Sequence, residues 1–168
     1  GGADLQARLI VPSAVRQHSN DPWPVYVEYE NTGNNDMCAP ILIVDGPNLM
    51  WLADQPSYQR QQIQFLGISP DGPAGILRPG SKWKVELRTV GTFRQELHFT
   101  LRSITQGSKS QIPIAWEAIW SDIRPGYIDE TYWNEYQEEI ASQLGTDWAA
   151  YVGVLADYST IISQGAVD

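Results

Sequence analysis

A single turn of the sequence collects four residues whose side-chain oxygens could bind calcium. They are Asn31, Asn34, Asn35 and Asp36. Calcium takes about six to eight oxygen ligands, and this turn is shorter and has fewer carboxylates than an EF-hand loop. Tight turns also favour Asn and Asp, because these side chains bond to nearby backbone groups. The residues therefore permit a calcium site, while turn chemistry alone already explains them.

Three aromatic side chains in turn-rich segments could instead stack on sugar rings. Trp23 lies between two prolines, Trp51 follows a Pro-Asn turn and Tyr58 lies in a Gln-rich stretch. The chain contains 7 Trp and 8 Tyr. Large aromatic side chains are mostly buried, which opposes this interpretation. Three further tryptophans fall on apolar faces of predicted elements and are expected in the core: Trp83, Trp133 and Trp148.

Residues suited to catalysis are few. His18 lies in a polar segment and His98 on the polar face of a predicted strand, and neither has metal-ligand spacing. Glu135, Glu138 and Glu139 could supply glycosidase carboxylates, but their positions predict a solvated helix face. The sequence has neither a nucleophile-elbow motif nor a phosphate-binding Gly loop that opens a helix. We therefore expect a non-enzymatic protein without a cofactor, with a small hydrolase as the third hypothesis.

Alternation of apolar and polar residues predicts β-strands in the first two-thirds of the chain. The predicted strands cover residues 5–11, 25–30, 41–44, 49–52, 62–68, 82–88 and 96–102. Segments rich in Gly, Pro, Asn and Asp separate them, including Asp45-Gly46-Pro47-Asn48. About seven short strands without intervening helices predict an immunoglobulin-like antiparallel β-sandwich over residues 1–112.

The pattern changes to helical spacing after Pro113. Residues 114–120 predict a short helix, and a longer helix is expected to end at Gly145, where a left-handed C-cap fits. Thr146 is then expected to cap a final helix, with Asp147 in its first turn. The apolar positions that predict these two helices are Trp133, Tyr136, Ile140 and Leu144, then Trp148, Tyr151, Val152, Leu155 and Ile162. We predict that residues 113–168 form an acidic helical hairpin that packs on the sandwich or on a neighbouring module.

The net charge of −9 comes entirely from the last third of the chain. Residues 1–112 hold ten acids and ten bases, whereas residues 113–168 hold ten acids and one base, Arg124. Nucleic-acid binding needs a basic face, and anionic lipid also attracts basic segments. The longest apolar stretch, residues 149–156, is too short to span a bilayer. We therefore expect neither nucleic-acid binding nor membrane insertion.

The first residues suggest a piece of a larger protein, whereas cysteine usage says little about its compartment. Cys38 is the only cysteine, so no disulfide can form within the chain. The sequence begins Gly1-Gly2, without a methionine or a signal peptide, which we interpret as the start of an excised fragment. Secretion or anchoring signals are then expected elsewhere in the parent protein.

Several segments carry a family resemblance. They are residues 27–33 (VEYENTG), residues 39–44 (APILIV) and, most distinctively, residues 65–80 (FLGISPDGPAGILRPG). The helical part adds Trp133, Leu144-Gly145, Trp148, Tyr151 and Leu155-Ala156. Together these segments resemble a recurrent unit of very large bacterial surface proteins, which are built from tandem immunoglobulin-like repeats.

The resemblance covers roughly residues 5–165, and its motifs are structural. It implies a spacer, scaffold or adhesin segment, and it carries over no catalytic residue. Our first hypothesis is therefore a non-catalytic structural or adhesive module of a secreted or cell-surface protein. Its partners would be neighbouring domains of the parent protein, glycans or other surface proteins. The alternative is a carbohydrate-binding module that uses Trp23, Trp51 and Tyr58.

Overall fold

The computed structural model describes residues 2–12, 21–70, 72–91, 98–108, 110–124, 126–143 and 145–165, with the backbone alone at residues 141 and 157–165. The strands within them are β1 (Leu5–Ile10), β2 (Trp23–Asn31), β3 (Met37–Cys38), β4 (Ile41–Leu52), β5 (Arg60–Leu66), β6 (Ile76–Leu77), β7 (Lys82–Thr89) and β8 (Thr100–Ile104). The helices are α1 (Trp116–Ile119), α2 (Glu130–Gln143) and α3 (Trp148–Gly165), and a 3₁₀ turn (Trp120–Ile123) follows α1 directly. The predicted architecture of mainly antiparallel sheets, with helices at the C-terminal side, is confirmed.

The strands form one large sheet and one small sheet. The large sheet has the order β1-β2-β7-β4-β5, with β8 also paired to β4, and β3 pairs with β6. The alternation predicted for β2 is confirmed, because its odd-numbered residues are buried while its even-numbered residues are half-exposed. Its neighbour β7 continues the same faces, since Val27 lies opposite Val85 and Glu28 lies opposite Lys84. Side chains on one face therefore enter a core while those on the other meet solvent.

Strand β4 corrects the prediction of two short strands at residues 41–44 and 49–52. It is a single strand of 12 residues. Its first part, Ile41–Asp45, lies between β5 and β8, whereas Met50–Leu52 pair with β7. The intervening residues 45–50, expected to contain a turn, hold an irregularity in the β4–β5 register. Because a bulge bends a strand without ending it, β4 contributes to both groups of partners.

Two apolar clusters lie on opposite faces of β4. Leu42 and Val44 belong to the strand cluster, whereas Ile41 and Ile43 belong to the helix cluster. The strand cluster comprises Trp23, Val25, Val27, Tyr29, Leu42, Val44, Met50, Leu52, Ile63, Phe65, Leu77 and Leu87. The helix cluster comprises Ala39, Ile41, Ile43, Leu66, Ile104, Ile114, Trp116, Ala118, Ile119, Trp120, Ile123, Ile128, Trp133, Ile140, Ala150, Tyr151 and Val154. Both faces of residues 41–44 are thus covered, which explains their continuous apolar run.

The helical segment packs on the sheet of its own chain. The Tyr151 hydroxyl of α3 donates a hydrogen bond of 2.9 Å to the Ala39 carbonyl. The buried Gln64 side chain of β5 accepts a hydrogen bond from Ala115 N–H (2.8 Å) and donates one to the Pro113 carbonyl (2.9 Å). Gln64 therefore fixes the segment that leads from the last strand into α1.

The ends of α2 and α3 follow the predicted pattern with one correction. Gly145 has a φ of 81°, the left-handed conformation expected after a helix. Its carbonyl accepts a hydrogen bond from the Trp116 indole (2.8 Å). Asp147, rather than Thr146, supplies the side-chain cap of α3, because its carboxylate accepts from Ala150 N–H (2.8 Å). The Thr146 carbonyl instead accepts from Ile114 N–H (2.8 Å).

Within the residues searched, no helix has the length and apolar character to cross a membrane.

Candidate functional site

Asn31, the first residue of the calcium hypothesis, is fully buried and bonded on every side. Its amide nitrogen donates to the carbonyls of Asn35 (2.8 Å) and Leu77 (3.0 Å). Its amide oxygen accepts from the backbone N–H groups of Asp4 (3.2 Å) and Gly33 (3.0 Å). An Asn side chain has two donors and about two acceptor sites, so the protein itself uses all of them. The Asn31 side chain thus ties together three backbone segments, at Asp4, Gly33–Asn35 and Leu77.

The remaining residues of that turn lie at the surface. The side chains of Asn34, Asn35 and Asp36 are exposed. The backbone N–H of Asn34 donates to the Gly2 carbonyl (2.8 Å), which adds one more link across the turn. Among the described residues, no group of three or more His, Cys, Asp or Glu side chains is placed to hold a metal ion. These contacts are hydrogen bonds to nearby backbone groups, which is the role that tight turns give to Asn and Asp.

Trp23 and Trp51 do not lie in exposed loops, which corrects that part of the sugar-stacking hypothesis. Each is only 8% exposed, and they lie in β2 and β4 respectively. The Trp23 indole donates to the Gly91 carbonyl (2.9 Å), and its ring meets Phe99 edge-on at 5.9 Å. Both rings are therefore packed in the protein, as large aromatic side chains usually are.

Tyr58 is half-buried and its polar and aromatic surfaces both have partners. Its hydroxyl donates to the Glu117 carboxylate (3.3 Å), and the Arg60 guanidinium lies 4.4 Å from the ring centroid. Burial, followed by the charge of Glu117, raises the pKa of Tyr58. These contacts link β5 to α1, and the three aromatic residues of the hypothesis do not form one platform.

The described residues that were considered for catalysis are exposed at the surface. His18 lies outside the described residues, and His98 is exposed. Glu135, Glu138 and Glu139 are exposed on α2, as predicted for a solvated face. A different acid is perturbed: burial, and to a smaller extent the charge of Asp54, raises the pKa of Asp122 to about 6. Asp122 lies in the 3₁₀ turn, and its charge in turn helps burial to raise the pKa of the Tyr29 hydroxyl.

The prediction that Trp83 lies in the core is wrong. It was predicted to be core because it alternates with polar residues in β7, yet it is 46% exposed. Its backbone lies opposite Tyr29 on the inner face of the sheet, one residue after the start of β7. Exposure along the inner face of β7 decreases from Trp83 through half-buried Val85 to buried Leu87, so the indole lies at the margin of the strand cluster. The adjoining Pro79-Gly80 turn and Lys82 were the signals of an exposed strand end.

A depression of about 490 Å³ opens beside Trp83. Its walls combine one large aromatic ring, two cationic side chains and two hydroxyl groups. The lining residues are Ser69, Gly72, Arg78, Pro79, Gly80, Ser81, Lys82 and Trp83. This is the mixture of a flat ring and a few polar groups that small-ligand sites use.

Buried residues of β2 hold both walls of the depression. Asn31 accepts from Gly80 N–H (2.7 Å) and donates its own N–H to the Ser81 carbonyl (3.1 Å). The Tyr29 hydroxyl donates to the Ile68 carbonyl, next to Ser69. Gly80 has a φ of 77°, which a residue with a side chain adopts only with strain. These hydrogen bonds hold the backbone at Ile68, Gly80 and Ser81 without any ligand.

The two cations of the depression differ in their availability. Lys82 lies 3.5 Å from the Glu28 carboxylate, which is also paired with Arg8. Arg78 is exposed, and no ion pair between described residues involves its guanidinium. A planar guanidinium offers paired donors that match a carboxylate. The depression can therefore present a flat apolar ring and a cation to one ligand.

Comparison with known proteins adds no relative. No protein-family model, curated protein or solved structure matches this chain.

Proposed function

We propose that this chain is a non-catalytic structural or adhesive module of a larger extracellular or cell-surface protein. The observation that carries the proposal is the use made of buried polar side chains. Those described are Asn31, Gln64 and Thr89. Each bonds to backbone groups distant in sequence, and Thr89 donates to the Leu49 carbonyl (2.9 Å). Such groups join segments of chain, whereas catalytic groups converge on a space for substrate.

An immunoglobulin-like sandwich is the finer description that we propose for residues 1–112. Two groups of strands, β1-β2-β7 and β5-β4-β8, both send side chains into the strand cluster. Sandwiches bury the inner faces of two sheets in this way. The described strands before Pro113 follow one another without a helix, which is also typical of the fold.

The helical part supports a role as a rigid unit. Six aromatic rings form a continuous chain of contacts from α2 through α1 to α3. In order, they are Tyr136, Trp133, Trp120, Trp116, Tyr151 and Trp148. This series of rings packs on the sheet at Ile41 and Ile43, which belong to the same cluster. Sheet and helices joined by one core would move together, as a spacer or scaffold requires.

The extracellular setting and the partners follow from the resemblance to surface repeat units. In such a setting, neighbouring domains of the parent protein would adjoin the module, and surface glycans or proteins would meet its exposed sides. The acidic helical face would keep that side soluble, since exposed acids favour solubility.

Two measurements on the whole chain test the proposal. Urea unfolding followed by far-ultraviolet circular dichroism and by tryptophan fluorescence should give one shared transition, because sheet and helices share a core. Incubation with ester, glycoside, peptide and phosphate substrates should give no turnover. Turnover that is lost on replacing an acid such as Asp122 would overturn the non-catalytic assignment. Two separate transitions would overturn the rigid-unit role.

A further inference from the structure

We propose that the Trp83 depression binds a carboxylated sugar, such as a uronic acid unit of an acidic polysaccharide. This inference rests on the proposed adhesive function and names the ligand that such a module would hold. It replaces the earlier set of aromatic candidates with a site at one end of β7.

The indole of Trp83 supplies the stacking surface. With 46% of the residue exposed, part of the ring remains available to a ligand at the edge of the depression. The C–H groups on one side of a pyranose ring form a flat apolar surface, and contact with an aromatic ring removes both from water.

Arg78 supplies the preference for an acid. Its guanidinium can donate two parallel hydrogen bonds to one carboxylate. Lys82 adds positive charge, although Glu28 already neutralises part of it. Ser81 lines the same depression, and a serine hydroxyl suits the hydroxyl groups of a sugar. A neutral sugar could contact the ring and the hydroxyl, but it has no carboxylate to form the paired hydrogen bonds with the guanidinium.

The site is also held ready before binding. Asn31 fixes the backbone of Gly80 and Ser81 through two hydrogen bonds, and Tyr29 fixes the segment that precedes Ser69. Preorganised walls reduce the entropy lost on association.

Isothermal titration calorimetry with matched oligosaccharides tests the proposal. The probes are hexamers of β-1,4-linked glucuronate and α-1,4-linked galacturonate, with cellohexaose as the neutral counterpart of the first. We expect saturable binding of at least one uronate, at least tenfold tighter than cellohexaose. Absence of binding to both uronates, or equal binding to cellohexaose, would overturn the proposed ligand class.

Paired variants locate the site. Trp83→Ala and Arg78→Gln should each weaken uronate binding at least tenfold. Their controls are Tyr132→Ala, an exposed aromatic of α2, and Lys84→Gln, a cation on the opposite face of β7; both should bind as the parent chain does. Arg78 lies in an exposed turn, so Arg78→Gln tests the site even if Trp83→Ala lowers stability. Unchanged affinity in both site variants would overturn the location.

The products separate this inference from the proposed function. Chromatography of the uronate after incubation should return the intact hexamer. Cleavage would overturn the non-catalytic assignment while leaving the binding site in place. Failure to bind would remove the site and leave the structural role standing.

Discussion

The indole rings of Trp120 and Trp133 stack, and each ring donates its N–H to the backbone carbonyl of the other residue. Their centroids lie 4.4 Å apart with 17° between the ring planes, and the two hydrogen bonds measure 3.0 and 2.9 Å. Both residues are buried in the helix cluster. This reciprocal pair fastens the 3₁₀ turn to α2, so it joins the two helical stretches that the intervening loop separates.

Trp120→Phe should lower the free energy of unfolding by about 1–3 kcal/mol, because it keeps a ring but removes the donor to a buried carbonyl. Urea unfolding followed by circular dichroism measures the change. Trp148→Phe, at a half-buried position, is the control and should cost less. The effects of Trp120→Phe and Trp133→Phe on the free energy of unfolding should not add in the double variant, since the two residues contact each other directly. Equal effects at Trp120 and Trp148 would contradict a special role for the pair.

Gln64→Leu should destabilise the protein by about 2–4 kcal/mol, because Ala115 N–H and the Pro113 carbonyl both lose a partner in a buried place. Gln64→Glu retains an oxygen for Ala115 but turns a second oxygen toward the Pro113 carbonyl. We therefore expect it to be destabilising at pH 7 and less so at pH 4. Gln61→Leu, an exposed change in the same strand, should cost about 0.5 kcal/mol or less. A harmless Gln64→Leu would show that the connection to α1 does not depend on this amide.

Asn31→Asp distinguishes a structural amide from a calcium ligand. The substitution replaces the donors to Asn35 and Leu77 by a carboxylate oxygen, and it should cost about 3 kcal/mol or more. Adding calcium should not restore the melting temperature. The matched variant Asn34→Asp, at an exposed position of the turn, should be nearly neutral. A calcium-dependent rise in melting temperature in the parent chain, enhanced in Asn31→Asp, would instead support a metal site.

Asp122 should make stability depend on pH. Its pKa is about 6 in the folded protein and 3.8 ordinarily, so the folded state holds the proton more tightly than the unfolded chain. Stability should therefore fall as the pH rises from about 4 to 6, and the cost should persist above that range. Asp122→Asn should stabilise the protein by about 1–2 kcal/mol at pH 7.5, allowing for partial solvation of the carboxylate, and should have little effect at pH 4.

Urea unfolding at pH 7.5 and pH 4 checks the Asp122 prediction. Asp54→Asn should give a smaller stabilisation at pH 7.5, since its charge is the lesser cause of the shift. Glu139→Gln, an exposed change on α2, serves as the control. The same loss of stability for Asp122→Asn at both pH values would show that the carboxylate makes a favourable contact instead.

Local patterns predicted the elements that depend on local physics. Alternation identified β2 and β7 because their two faces differ in exposure. The left-handed position of Gly145 was predictable because few other residues adopt it. In contrast, the apolar run Ile41–Val44 predicted a strand, but it did not indicate that the strand cluster would cover one face and the helix cluster the other. Pairing partners are not encoded in a local window, which is why β4 was divided in two.

The candidate site was less accessible to sequence reasoning than the fold. Trp83 has the same alternation as a core residue, yet it lies at the margin of the strand cluster and is exposed. The prolines on both sides of Trp23 suggested a loop, yet Trp23 begins β2, and Trp51, in the predicted strand 49–52, is buried in β4. The amide side chain of Asn31 suits a calcium ligand and a turn residue equally well. Its burial decided the matter, because a buried amide must find partners within the protein.

The position of β4 has a consequence for how the chain can be made. This strand pairs with β5, which follows it closely, but also with β7 and with Thr100–Ile104 of β8. During synthesis, the apolar residues Ile41–Val44 must therefore wait about sixty residues for the strand that pairs with their second edge. An unpaired apolar strand tends to pair with another chain. A nascent chain stopped before Ile104 would hence be prone to self-association, so a chaperone that binds the unpaired strand would favour correct folding.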